Sequence, residues 1–453
     1  MGKSMKAGYG KLLVSLGKAK QKMKNEFVTV TPFEGLKIVS YQTDRFKTGR
    51  LAVNLVLPLT LEPETYAVLP YLFTKTTAAY PSFLDLSKRL AELYGAILSP
   101  AVTKMGENLV LRLSITMLDN RFTFDGEDLV LECTKLLCDA LYAPLLKNGL
   151  VPEEDLKREQ RLLKERLEAD KNDKRTYARD RLIELMCEDE VYRVNPLGTE
   201  EGIDAMTPET VTEAWRELLR VARIQVNVVG STDPNKVADL VAGYVTSVTR
   251  AEQFADFSNG LKQEVTAEKR VTEVQDIAQG KLVLGFRTGI RDTEADYARF
   301  RVFSDLFGGG PHSRLFKNVR EAQSLCYYCS ARVYSKKGIM LVQSGIENEN
   351  AQKAVDSILH ELKELQDGNF TDADLETSHK YLMDGFRSVC DKPEELDGWM
   401  YMAVCDQTFL PPEEVAKKLK AVTRDDVVEA ARSIRLDTVF LLEGTGKEDQ
   451  ADA

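Results

Sequence analysis

Phe370-Thr371-Asp372-Ala373-Asp374-Leu375-Glu376 repeats, 219 residues later (374 − 155), the pattern of Val151-Pro152-Glu153-Glu154-Asp155-Leu156-Lys157. Both segments put acids at the start of a long helical stretch, where the positive end of the helix dipole favours them. The segments after these helices repeat as well. Met206-Thr207-Pro208-Glu209-Thr210-Val211 reads as a capped helix start and leads through Ala214-Trp215 to the strand run Arg223–Gly230. Its echo, 216 residues on (423 − 207), is Val422-Thr423-Arg424-Asp425-Asp426-Val427, then Ala430-Ala431, then the strand run Thr438–Gly444. Single helix starts match by chance, but matches in the same order and at nearly the same spacing mark one unit used twice.

Working outward, each half reads as strands first and helices later. In the first half Leu36–Tyr41 and Leu51–Leu57 are strand runs, and Ala96–Val102 with Leu109–Thr116 form a hairpin around Lys104-Met105-Gly106-Glu107-Asn108. In the second, Leu282–Phe286 is a strand, and Tyr327–Tyr334 with Met340–Ser344 form the matching hairpin around Lys336-Lys337-Gly338. Strands grouped apart from helices predict an α+β fold: two homologous α+β domains, each an antiparallel-rich sheet with helices packed on one face. The expected divisions are a basic leader over 1–26, a first domain over 27–250, a polar linker over 251–275 containing Ser258-Asn259-Gly260, a second domain over 276–446 and a tail over 447–453. The charged run Glu153–Arg181 is expected to be one solvated amphipathic helix.

The chain has 453 residues, 43% hydrophobic and 29% charged, which is enough apolar material for a real core and excludes disordered and fibrous classes. Seven cysteines without regular spacing do not read as a secreted disulfide framework, so a reducing cytoplasm is expected. Residues 1–25 carry seven Lys and no acid, so the overall charge of −10 leaves −17 (−10 − 7) on the remainder. An acidic body is a poor surface for nucleic acid, which is held by clustered Lys and Arg. The apolar run Leu12-Leu13-Val14-Ser15-Leu16 in the leader is too short for a signal-peptide core, and nowhere do about 18 apolar residues run together as a membrane span needs. Membrane contact is not expected.

Metal chemistry is limited by the count of three His. His312, His360 and His379 share no helical turn, and His360-Glu361 has Glu364 where a zinc helix wants its second His. All three are expected to be exposed helical residues. Cys326-Tyr327-Tyr328-Cys329 has redox spacing, but it enters a strand, where residues three apart point to opposite faces, so a structural reading is preferred. Gly308-Gly309-Gly310 lacks the Lys and Ser or Thr of a phosphate loop and is expected to be a turn between helices.

The longest informative stretch is Gly308-Gly309-Gly310-Pro311-His312-Ser313-Arg314-Leu315-Phe316-Lys317-Asn318-Val319-Arg320-Glu321, followed by Leu325-Cys326-Tyr327. It resembles the second-domain signature of the pitrilysin or insulinase class of inverted-motif zinc peptidases: Gly-Gly, Ser-Arg-Leu-Phe, Arg-Glu, and a Tyr seven residues after the Arg. Arg89-Leu90-Ala91-Glu92-Leu93-Tyr94-Gly95-Ala96 is similar to the first-domain stretch that follows that family's zinc helix. The likeness covers about residues 27–445. It implies a His-x-x-Glu-His helix, and counting back places that motif on Ala67-Val68-Leu69-Pro70-Tyr71, where Ala67, Pro70 and Tyr71 stand at the ligand and base positions. The distal Glu ligand would correspond to Glu159 or Glu165.

The resemblance therefore implies a non-catalytic member that holds no zinc and no other cofactor, zinc being expected only in a partner chain. In such bacterial pairs two chains close like a clamshell around a peptide, and the second-domain Arg and Tyr reach toward the facing half's metal. By motif these substrate-binding residues are Arg320 and Tyr327. The implied function is the inactive subunit of a heterodimeric zinc peptidase, with a zinc-bearing partner and a peptide substrate; the alternative is a peptide-binding or scaffold protein without a proteolytic role. Members of this look are associated by name with elongation factor P modification or with leader-peptide removal.

Overall fold

The computed structural model describes residues 25–252, 254, 260–290, 294–406 and 408–445. The basic leader up to residue 24 and the expected tail over 447–453 lie outside them.

Two sheets form the frame. The first contains β1 (Glu26–Phe33), β2 (Leu36–Gln42), β3 (Thr48–Pro58), β4 (Ile97–Met105), β5 (Asn108–Leu118) and β6 (Arg223–Gly230) in the order β1-β2-β6-β3-β5-β4. The second contains β7 (Lys269–Gln275), β8 (Gly280–Arg287), β9 (Cys326–Tyr334), β10 (Ile339–Ile346) and β11 (Arg435–Gly444) in the order β7-β11-β8-β10-β9. Without β1 the two orders are the same, and each sheet has its one parallel pair in the same place, β2 with β6 and β7 with β11. The hairpins β4–β5 and β9–β10 turn at Gly106 and Gly338, whose φ values of 57° and 67° suit a residue without Cβ. The duplication seen in the sequence is thus a duplication of topology.

β7 falls within the stretch expected to be linker, because its residues Lys-Arg-Val-Thr-Glu-Val-Gln are mostly polar. It is an edge strand paired only to β11, and an edge strand needs no apolar face to be held by its ladder. The joint between the halves therefore ends before Lys269.

Each half packs its own helices on one face. In the first, β3 presents Leu51, Val53, Leu55 and Leu57 to helices that include Leu129–Tyr142 and Glu153–Asn172. In the second, Leu282, Leu284 and Phe286 of β8 meet the helices Glu294–Gly308, Ala351–Gln366 and Arg424–Ser433. Threonine caps set the repeated helix starts. Thr207, Thr371 and Thr423 each accept from the backbone N–H three residues on, and the side chain at that position returns the bond, satisfying two otherwise orphaned donors.

The opposite faces are covered by exchange. The charged run expected to be one solvated helix breaks at Asp173, whose carboxylate caps a new helix, Lys174–Met186. That helix leaves its own half and buries Ala178, Leu182, Ile183 and Met186 against Val283, Leu341, Phe440 and Leu442 of the second sheet. Its counterpart Pro393–Met402 crosses the other way and buries Leu396 and Met400 against Val39, Tyr41 and Val229 of the first. Charge networks fasten both crossings. Asp397 accepts from Arg50 and Arg112, and Asn227 donates to it at 3.0 Å. Lys337, in the β9–β10 turn and fully buried, reaches Glu107 in the β4–β5 turn and Glu190, which also pairs with Arg287 at 2.7 Å.

Candidate functional site

Where a zinc helix is implied, the chain forms two short helices, Glu64–Ala67 and Leu69–Phe73. Ala67 and Pro70 are buried, and neither carries a side chain able to bind a cation. Tyr71 is also buried, with the Arg166 guanidinium 3.9 Å over its ring. Burial raises the Tyr71 phenol above its ordinary pKa, with Arg166 opposing and Glu159 reinforcing the shift. Of the two distal carboxylates, Glu165 is exposed and pairs with Arg161. Glu159 is fully buried, takes a 3.3 Å bond from Arg158 Nε and leaves Oε2 without a partner. At the positions the resemblance assigns to the zinc helix an aromatic ring stacks on a permanent cation, and Ala67, Pro70 and Tyr71 do not fit zinc. Among the described residues no group of three or more His, Cys, Asp or Glu could hold a metal. Sequence reasoning missed Arg166, and its only signal was an Arg in the helix proposed to carry the distal ligand.

The second-domain pair lies on unusual backbone. Arg320 belongs to Leu315–Ala322, a π-helical segment, and Ser324 just beyond it has φ +52°. π-helical turns are rare and recur at functional sites. The Arg320 guanidinium sits 4.5 Å over the Phe316 ring and 3.4 Å from Glu321, with its side chain 37% exposed. Tyr327 follows at the start of edge strand β9. The ladder to β10 slips there: Tyr328 pairs with Gly345 while Cys326, not Tyr327, pairs with Ile346. Tyr327 is the extra residue of this bulge, 58% exposed, and its hydroxyl donates to Glu347, which raises the phenol pKa. Each of the pair thus rests against a local acid at an accessible surface.

The bulge also corrects the reading of the cysteines. With one residue looped out, Cys326 and Cys329 face the same core and their thiols hydrogen-bond each other. That bond, helped by Ser344 and the nearby Arg320 charge and opposed by burial, holds Cys326 down at about 7 while Cys329 is pushed up. The histidines are corrected too. His360 is exposed on a helix, but His312 lies in the turn after Gly308-Gly309-Gly310, with Nε2 2.7 Å from Asp305, and the partly buried His379 has its pKa lowered by burial.

A family profile described as "Peptidase M16 inactive domain" matches residues 205–382. The chain is 31% identical over 412 residues to the Bacillus subtilis (strain 168) protein named "Probable inactive metalloprotease YmfF", a match covering 91% of this chain and 96% of that one. A conserved protein of Enterococcus faecalis V583 superposes with TM-score 0.84 at 28% identity, over 94% of this chain and all of that one. The peptidase M16 inactive domain from Pseudomonas fluorescens shares the fold, with TM-score 0.76 at 14% identity over 93% and 98% of the two chains.

Proposed function

Because the chain belongs to the M16 peptidases, as an inactive homologue, we propose that it is the non-catalytic subunit of a heterodimeric M16 zinc peptidase. In this reading it forms half of a peptide chamber, works in the cytoplasm, and offers Arg320 and Tyr327 to substrate bound at the zinc of a partner chain. Arg166 stacked on Tyr71 supports placing the metal in the partner alone. Among the described residues no helix is long and apolar enough to cross a membrane.

The observation that carries the proposal is Tyr327, a large aromatic side chain looped out of an edge strand into solvent next to the segment bearing Arg320. A side chain kept for packing would be turned inward. A guanidinium fork and a phenol can together donate hydrogen bonds to a substrate carbonyl and to charge developing on its oxygen. Glu321 and Glu347 hold the two donors until substrate displaces them. The charge of −17 on the body favours basic peptides.

The test is to co-express the chain with a His-x-x-Glu-His-bearing M16 chain from the same genome and follow peptide cleavage. Arg320→Ala is expected to lower kcat by about 10²-fold, the scale of losing one donor to a developing oxyanion. Tyr327→Phe is expected to lower it less, and both variants should still assemble. Unchanged kinetics in both would reject the proposal.

A further inference from the structure

The second half contains a cavity of about 450 Å³, within the range of small-molecule sites. It lies between the helix Glu294–Gly308, the end of β9, and the helices Asp372–Val389 and Pro393–Met402. Its place in the duplicated fold is informative. The shift of 219 between the later helices sets Arg166 against Gly385. Gly385 lines the cavity. In the first half this space is closed by Arg166 on Tyr71. In the second a glycine stands where the arginine would be, and a Cβ built there meets no atom within 4 Å. The duplicate of the degenerate site has stayed open.

Its walls are mainly apolar and aromatic, including Phe386 and Trp399, with a few polar groups converging on them. Among the described residues the charged groups lining it are Arg301, Arg332 and Asp305. Asp305 is already engaged by His312. Among the described residues no acid pairs with Arg301 or Arg332, whose side chains both line the cavity. Two guanidinium groups lining a mainly apolar space favour an anion there.

We propose that this cavity binds a carboxylate carried on an aromatic or branched apolar body, with Arg301 holding the anion and the Phe386 and Trp399 side enclosing the body. A peptide ending in a bulky residue and a free aromatic acid share this chemistry. The site belongs to the lone chain and needs no partner, so its failure would leave the subunit reading standing.

Calorimetric titration of the full-length chain tests it with N-acetyl-L-phenylalanine, the corresponding C-terminal amide, and a tetrapeptide ending in Phe. The acid is expected to bind, and the amide at least about tenfold more weakly, the scale of one charge-assisted hydrogen bond. Tetrapeptide binding as tight as the acid's identifies a peptide end as the source; binding of the acid alone identifies a free acid. Arg301→Gln should weaken the acid by a similar factor. Gly385→Leu should abolish binding while raising the melting temperature, because it replaces a helical glycine. Equal affinity for acid and amide, no heat from any probe at millimolar concentration, or full binding by the Gly385→Leu chain would overturn the proposal.

Discussion

Asp397 ties the helix Pro393–Met402 to Arg50, Arg112 and Asn227 on the outer face of the first sheet. It is 2% exposed, yet it compensates two arginines, one of which, Arg112, is itself buried beneath the Tyr401 ring. Removing one member of a buried charge cluster leaves the others unmatched, so Asp397→Ala should destabilise the fold by about 3–5 kcal/mol in urea titration. Combining it with Arg112→Leu should cost less than the sum of the single changes, and strict additivity would show that the two do not interact. Lys104 makes a separate prediction. Its Nζ donates to the Tyr192 and Val194 carbonyls at 2.6 and 2.9 Å, and burial pulls its pKa down to about 8. An unfolded lysine titrates near 10.4, so between these values the unfolded chain binds more protons and this group's contribution to stability rises with pH. The full penalty is felt below pH 8. Urea midpoints should give wild type about 1–2 kcal/mol more gain from pH 8 to 9.5 than Lys104→Met; equal gains would contradict the assignment.

At the scale of elements, the informative pair is Lys174–Met186 and Pro393–Met402, each seated on the other half's sheet. Leu396 and Met400 are fully buried although their helix is an outsider to that sheet, so Leu396→Ala should cost about 2–5 kcal/mol, as for any core leucine. A loss under about 0.5 kcal/mol, typical of surface sites, would mean the crossing is not a packed contact. The repeated helix starts, both hairpins and both terminal strands β6 and β11 were legible in the sequence, because caps, glycine turns and apolar runs are local signals. The exchange was not. An amphipathic helix shows that one face must be buried but not which sheet buries it, and the run from Glu153 hid the Asp173 break inside uniform charge. β1 and β7 escaped because edge strands are held by their ladders rather than by apolar periodicity. At the candidate site, Ala67, Pro70, Tyr71, Arg320 and Tyr327 are named by motif alone, whereas Arg166 over Tyr71 and the bulge that pairs the cysteines depend on contacts across elements.

For the whole molecule, exchanged helices and the Lys337–Glu190–Arg287 cluster make each half incomplete without the other. Thermal or urea unfolding should therefore be one transition by every probe, and residues 27–250 produced alone should expose the unpaired face of Lys174–Met186 and bind a hydrophobic dye. Two separate transitions would show the halves to be independent. The same build suits a chain that keeps a peptidase frame as an inactive homologue: the two cores are built from apolar side chains, and at the positions the resemblance assigns to the zinc helix an arginine packs on a tyrosine. The most direct test of that view is zinc content and peptide hydrolysis of the purified full-length chain, alone and then mixed with a zinc-bearing M16 chain from the same cell. The account predicts no stoichiometric zinc and no cleavage from the chain alone, with chelator-sensitive cleavage appearing on mixing; chelator-sensitive cleavage by the chain alone would contradict it.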